Sequence, residues 1–304
     1  ERCTNCPTVH KQISAVADTC ERIIELGHHA GFYEDNYTIA ASKEYEWFYK
    51  EGRLYAPAVM LDRTEMSDNY PDIYSDGVPV VSVGASKLKT LYAEQSCAPA
   101  FVSVEPTVKT DKSGNILIHV EGEQLIGTDV ESPRLFVFVS EDSVYSTNQS
   151  GASGGYYHRH MARQSVTPTW GEPIDIKGYT ADYTVPVQTG WDAARLSVVA
   201  FVANYDAEDK NNCRVLNAEE AKVPYEGVAG IENAVAKPMH VSWDGSTLMV
   251  KDGFSRLTVC DMSGRQVYSA TADDTADLGF LDRGYYIATI VCGNGQKVMK
   301  LMAD

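Results

Sequence analysis

The sequence predicts an α+β multidomain chain: an α/β unit over residues 1–98, a β-sandwich over 99–227 and a smaller β-sandwich over 228–304. Three observations carry this reading. Helical and strand patterns alternate up to Pro99. Short β-rich runs broken by turn signals then continue to about Tyr225, and a further all-β block begins near Gly230.

Composition bounds the function. A chain of 304 residues, 44% hydrophobic and with 18 Tyr, can bury a sizeable core. Its formal net charge of −16 excludes non-specific nucleic-acid binding, which needs a basic surface to neutralise phosphates. No apolar run reaches the roughly 18–20 residues of a membrane helix. Cys3 lies so near the start that an N-terminal segment, including a signal peptide, is expected to have been removed.

In chain order, Val9, Ile13, Val16, Cys20 and Ile23 recur at spacings of four, three, four and three, which is one face of an amphipathic helix. Pro7 fits its first turn, where a missing N–H costs nothing. Ile23–Leu26 finishes that helix or begins a short strand. Lys43–Lys50 and Ser86–Gln95 read as helices, and Ala58–Leu61 and Val78–Val83 as strands. Beyond Pro99, Phe101–Val104, Ile116–Val120, Leu135–Val139 and Leu196–Val202 read as strands, with a hairpin turn over Asp111–Asn115. The insert Gln149–Gly155 is a flexible loop by composition. In the last block, Leu257–Cys260 and Gln266–Tyr268 flank the turn Asp261–Arg265. Tyr285–Val291 and Lys297–Met302 flank Gly293-Asn294-Gly295, a strong hairpin signal.

Seven cysteines leave at least one thiol free or paired between molecules. Cys3-Thr4-Asn5-Cys6 stands at the start of the first helix, whose unpaired N–H groups and partial positive charge stabilise a thiolate. In the redox reading Cys3 attacks and Cys6 resolves the mixed disulfide. Thioredoxin-like folds set a cis-proline loop against such a pair, and Pro57, directly before an apolar run, is the candidate. A zinc reading adds His10, with His28 or His29 completing a tetrahedron. The third reading is an inert disulfide. Cys20, about 21 Å along the helix from Cys6, is out of disulfide reach of the pair. It is a core cysteine or a partner of Cys97. Cys260 and Cys292 either join or stay unpaired.

The chain resembles the outer membrane protein 28 family of bacterial envelope proteins. The matching stretches are Arg2–Pro7, Gly27–Gly31, Tyr55–Pro57 with Asp62-Arg63, Ser140–Asp142, Tyr157–Arg163, Trp170-Gly171, Ala200–Asn204 and Val215–Ala218, which together span roughly residues 1–225. The resemblance implies a thioredoxin-fold domain followed by a β-sandwich. Thioredoxin itself is matched only at Cys3, Cys6 and Pro57, and the strand that leads into its Cys pair either comes from an upstream segment or leaves the sheet incomplete. The last block resembles a type IX secretion C-terminal sorting domain at Val259–Arg265, Leu278–Tyr286 and Lys297–Leu301. That likeness implies a small immunoglobulin-like sandwich that directs export to the cell surface. The expected architecture is therefore a thioredoxin-like α/β domain followed by two β-sandwich (immunoglobulin-like) domains.

Other constellations are weaker. His158 and His160 would share a strand face, a geometry able to bind metal, but a surface or packing role is the preferred reading. Tyr156, Tyr157 and Trp170 make a recognition surface or a core. Asp111, Ser113 and Asn115 mimic the start of a calcium loop but lack the downstream bidentate Glu, and read as a turn. Glu44, Glu46, Glu141 and Asp142 have no definable catalytic partner. Neither a nucleophile elbow nor a phosphate-binding glycine loop is present. The predicted function is thiol–disulfide exchange through Cys3, Cys6 and Pro57 in the bacterial envelope, at the outer membrane surface or in secreted form. Protein thiols, disulfides or surface ligands are the expected partners, and no metal or cofactor is called for. The alternative is a non-catalytic surface binding or adhesion protein with the same fold as scaffold.

Overall fold

The computed structural model describes residues 1–19, 22–30, 33–95, 99–128, 130–225, 241–261, 265–292 and 295–303. The chain is mostly β and forms two compact units, Glu1–Tyr225 and Glu226–Asp304.

The first unit opens with helix α1 (Cys6–Ala17), which carries Pro7 in its first turn. The apolar stripe begins as expected, with Ile13 and Val16 packed inward, but the helix stops at Ala17. There the Thr19 hydroxyl and amide both take the Val16 carbonyl, at 2.8 and 3.1 Å, and end the helical ladder. Ile23 continues the same core outside the helix, while Ile24 and Leu26 face a different one. Cys20 and Cys97 lie outside the described residues, and so does their pairing.

The helix expected over Lys43–Lys50 is displaced toward the N-terminus. It is α2 (Ala40–Glu44), tightening into a 3₁₀ turn over Tyr45–Phe48. The runs around Val59 and Val81 meet in a single antiparallel bridge with reciprocal bonds of 2.8 and 2.9 Å, not in full strands. Helix α3 (Ala85–Gln95) falls where the pattern placed it. Val16, Met66, Tyr74, Val81, Val83, Leu88 and Leu91 form the core beneath α1 and α3.

Two antiparallel sheets follow. Strands β1 (Glu105–Thr110) and β2 (Asn115–Gly122) form a hairpin, with the Asp111 carboxylate accepting the Ser113 and Asn115 amides. Next come β3 (Pro133–Glu141), β4 (Val144–Ser146), β5 (Tyr156–His158), β6 (Met161–Ser165) and β7 (Glu172–Pro173). The unit closes with β8 (Tyr179–Pro186), β9 (Leu196–Asn204) and β10 (Val215–Lys222). One sheet runs β1-β2-β8 and the other β10-β9-β3-β6, with β7 beside β3, while β4 and β5 form a separate hairpin. Phe101–Val104 is not a strand; only Val102 bridges, to Gln124.

Between the sheets lie Ile116, Ile118 and Val120 of β2, Leu135, Val137 and Val139 of β3, and Val198, Ala200 and Val202 of β9. The opposite faces of β3 and β9 are buried too. Phe136, Phe138, Val199 and Phe201 pack against Ala41, Tyr45, Phe48, Val78 and Val80 from the N-terminal region. Burial on both faces explains the unbroken apolar runs at Leu135–Val139 and Leu196–Val202. Arg63 sits in this second core at 5% exposure, its guanidinium 4.6–5.1 Å from the rings of Tyr45, Phe48, Phe136 and Phe201. Such a cage replaces part of the lost hydration of a buried cation.

The second unit consists of β11 (Val241–Trp243), β12 (Thr247–Phe254), β13 (Arg256–Asp261), β14 (Gln266–Ala270), β15 (Asp273–Asp277), β16 (Gly284–Cys292) and β17 (Gly295–Ala303). Its sheets, β11-β12-β15 and β14-β13-β16-β17, enclose Leu248, Val250, Leu257, Val259, Ala288, Ile290 and Leu301. Cys292 pairs with Gly295 across β16 and β17, the register of a two-residue hairpin. Cys260 is a free thiol opposite Ile287, five residues along β16 from Cys292. At about 3.4 Å per residue that offset is far beyond disulfide reach, so the two do not join.

Candidate functional site

Cys3 and Cys6 form a disulfide with a Cα–Cα distance of 5.4 Å. Cys6 is the first residue of α1, and Asn5, at the N-cap, makes no side-chain capping bond. The Cys6 amide instead donates to Cys3 Sγ at 3.0 Å. A sulfur thus takes one of the orphan N–H groups of the helix start, the place where a thiolate is best stabilised. This follows from the sequence: Pro7 fixes the first turn, and the Cys-x-x-Cys spacing folds the first sulfur back over the helix end.

The segment before the helix is held by the β4–β5 loop. Gln149 is 6% exposed, and its Nε2 donates to the Cys3 carbonyl at 2.9 Å and to the Ser150 carbonyl at 2.8 Å. The Ser150 amide donates to the Glu1 carbonyl at 2.8 Å. Gly151 has φ +80° and lies so close to the Thr4 backbone that any side chain there would collide with it. Gln149, Ser150 and Gly151 hold the Cys3 segment and were missed by sequence reasoning, because Ser- and Gly-rich composition reads as a mobile loop. The one available signal was Gln149 itself, a long amide at the edge of a glycine-rich stretch.

Behind the pair, His10 Nδ1 is 2.9 Å from the Tyr156 hydroxyl and Nε2 is 2.6 Å from Glu25, which also accepts from Ser14. His29 contacts Asp35 at 2.8 Å, and His28 contacts the Ser42 hydroxyl at 2.9 Å. The histidines invoked for zinc are therefore each committed elsewhere. Among the described residues no group of three His, Cys, Asp or Glu side chains is arranged to hold a metal. Tyr156, Pro7, Thr8, Lys11 and Lys89 line an open groove of about 690 Å³ along α1.

His158 and His160 do not share a strand face. His158 ends β5, 5% exposed, its ring 4.7 Å from that of His29 and its Nε2 without a hydrogen-bond partner. Burial, then the neighbouring His29, lowers its pKa to about 3. His160 lies past the strand end with φ +46°, and its carbonyl accepts the Gly27 amide at 2.7 Å. The acidic candidates are structural. Buried Glu141 pairs with Arg163 at 3.2 Å, Asp142 accepts from Ser143, and Glu44 accepts from Thr169. Trp170 packs among Tyr45, Trp47, Phe48 and Tyr205 as core, whereas Tyr157 is exposed.

Pro57 follows a cis Ala56–Pro57 bond and precedes the Val59–Val81 bridge. It is anchored through Tyr55, whose hydroxyl donates to the Val80 carbonyl at 2.9 Å and whose carbonyl accepts from Tyr49 at 3.1 Å. The Cys3 segment is held by the β4–β5 loop, which binds the Cys3 and Glu1 carbonyls, and by Asp35 and Ser146, which bind the Glu1 ammonium and carboxylate.

Comparison with known proteins bears on the surroundings of this site. HBP35 of Porphyromonas gingivalis aligns over 100% of this chain and 95% of its own, with a TM-score of 0.57 and 16% identity, a likeness of fold. A domain of the outer membrane lipoprotein Omp28 from Porphyromonas gingivalis aligns over 41% of this chain and 90% of that domain, at 21% identity and a TM-score of 0.29. No curated protein matches the sequence. No helix among the described residues is long and apolar enough to cross a membrane. The family model of outer membrane protein Omp28 matches residues 80–226, a span that includes Gln149 and leaves Cys3, Cys6 and Pro57 outside it. Over that span the chain is similar to the Omp28 family of outer membrane proteins.

Proposed function

We propose that this is a surface protein that carries out thiol–disulfide exchange through Cys3 and Cys6. In this reading residues 1–98 act as a thioredoxin-like domain, 99–227 as a β-sandwich and 228–304 as an immunoglobulin-like, sorting-type domain. Reduced Cys3 attacks one sulfur of a substrate disulfide, forming a mixed disulfide and releasing the first substrate thiolate. Cys6 then attacks Cys3 Sγ, the second substrate thiolate leaves, and the Cys3–Cys6 bridge closes. Two electrons pass from the protein dithiol to the substrate, and its two protons go to the departing thiolates. Pro57 borders the approach of the substrate chain.

The observation that carries this reading is the Cys6 amide aimed at Cys3 Sγ at a helix start, which favours the Cys3 thiolate as nucleophile and as leaving group. Cys3→Ser is expected to abolish reduction of a disulfide-bonded peptide by the reduced protein. Cys6→Ser is expected to accumulate the mixed disulfide, detectable by intact-mass spectrometry. Wild-type turnover by Cys3→Ser would overturn the assignment.

A second reading has its own support. Gln149 and Ser150 pin the segment that bears Cys3, as suits a bridge that serves only to fasten a binding scaffold. A bridge that resists millimolar dithiothreitol in the folded protein would favour that reading, whereas rapid labelling of both thiols after mild reduction would count against it.

A further inference from the structure

We infer that Gln149, contributed by the sandwich and not by the helix that bears the cysteines, is the positioning residue of the Cys3–Cys6 pair. The inference rests on the reading that this pair cycles between disulfide and dithiol.

Helix α1 fixes only one of the two sulfurs. Cys6 is its first residue, whereas Cys3 lies outside it, on a segment with no helical hydrogen bonds of its own. Asp35 and Ser146 hold the Glu1 end of that segment, and three consecutive loop residues hold its backbone up to Thr4. Gln149 binds the Cys3 carbonyl, Ser150 binds the Glu1 carbonyl, and Gly151 lies against the Thr4 backbone. The Gln149 amide is almost wholly buried; one donor stays within the loop on the Ser150 carbonyl, and the other reaches the Cys3 carbonyl and is satisfied there only while the loop is seated. The seat is braced at the other end of the loop, where Tyr156 meets His10 on α1.

The loop matters differently in the two redox states. In the disulfide, the covalent bond already fixes Cys3 beside Cys6. In the dithiol that constraint is gone. The ties at Glu1 to Asp35, Ser146 and Ser150 hold the chain end, and the Gln149 bond is the one made to Cys3's own carbonyl, so it acts most directly on where the Cys3 thiol lies. Gln149 therefore raises the effective concentration of one thiol at the other and favours closure of the bridge. In equilibrium with dithiothreitol, the protein S–S bond is replaced by two S–H groups as the reagent loses two S–H and closes its cyclic disulfide. Two electrons and two protons move between them. Loss of Gln149 shifts this equilibrium toward the protein dithiol.

The test is the equilibrium constant of the full chain in buffers of reduced and oxidised dithiothreitol, read by thiol labelling and mass. Gln149→Met keeps the length and removes both donors. Gly151→Val keeps Gln149 and forces the loop off Thr4. Each variant is expected to move the constant about 5- to 10-fold toward the dithiol, the worth of one good buried hydrogen bond, with an unchanged far-UV spectrum. A constant within twofold of wild type for both variants would overturn the inference. Turnover of the peptide substrate by wild type is measured alongside. Inert wild type with shifted variants defeats the exchange reading and keeps the positioning role, whereas active wild type with unshifted variants does the reverse.

Discussion

At the scale of single residues, the junction between the N-terminal region and the sheets is built around histidines kept neutral. His28 lies edge-on to Tyr45 and Phe138, and its pKa is lowered to about 3 by burial, then by Arg63 and His29. His158 is lowered to the same value by burial, then by His29 and the N-terminal ammonium, with Asp35 opposing. In the unfolded chain both titrate near 6.5, so the unfolded state takes up protons first as pH falls. Stability is then flat above about 6.5 and declines toward the folded pKa near 3, by about 1.4 kcal/mol per pH unit for each histidine. His158→Phe, an aromatic that suits its neighbours, should remove about 2 kcal/mol of the stability difference between pH 7 and pH 5, measured by urea unfolding. An unchanged difference would mean that His158 is protonated in the folded protein. A His-x-His pair in sequence allows a metal site, a surface strand or packing, and packing is what His158 does; that only one of the two rings is buried was not legible, because the turn at His160 separates them. Cys3 and Cys6 were legible because a proline and an apolar stripe behind them fixed where the helix starts.

At the scale of elements, β3 does two jobs with one sequence. Leu135, Val137 and Val139 face the space between the sheets, and Phe136 and Phe138 face the N-terminal region. The apolar run showed that a strand was there and that it was buried. It could not show what covered the second face, because that cover is assembled from Tyr45, Phe48, Val78 and Val80, residues distant in sequence and only partly in regular elements. The same reason explains the missing strands at Val59 and Val81: they needed one bridge, since side-chain packing on both flanks holds them. If β3 couples the two regions, Phe138→Ala should cost about 3–5 kcal/mol of stability, as for other large core truncations. It should also speed amide exchange at Val59 and Val81 by the same factor as along β3. Wild-type protection at Val59 and Val81 in this variant would show that the N-terminal region holds without the sheet.

At the scale of the whole molecule, a change of character in sequence and a break in packing are separate events. The switch from mixed to β-rich pattern at Pro99 is a real change of secondary structure, yet Glu1–Tyr225 forms one contact unit, because the outer face of the larger sheet serves as the floor of what precedes it. The block after Tyr225 differs: Leu248, Val250, Leu257, Val259, Ala288, Ile290 and Leu301 fill its core with side chains of its own strands. A unit that buries its own core meets the requirement for folding alone. A chain ended at Tyr225 should therefore unfold with the melting temperature of the corresponding transition in the full chain, and residues 228–304 alone should show the other transition. Scanning calorimetry of the three proteins is the measurement. A shift of the first transition by more than about 4 °C, roughly 2 kcal/mol for a unit of this size, would mean that the last block stabilises the disulfide-bearing unit. Agreement within that margin would allow the Cys3–Cys6 chemistry to be studied on residues 1–225 without loss.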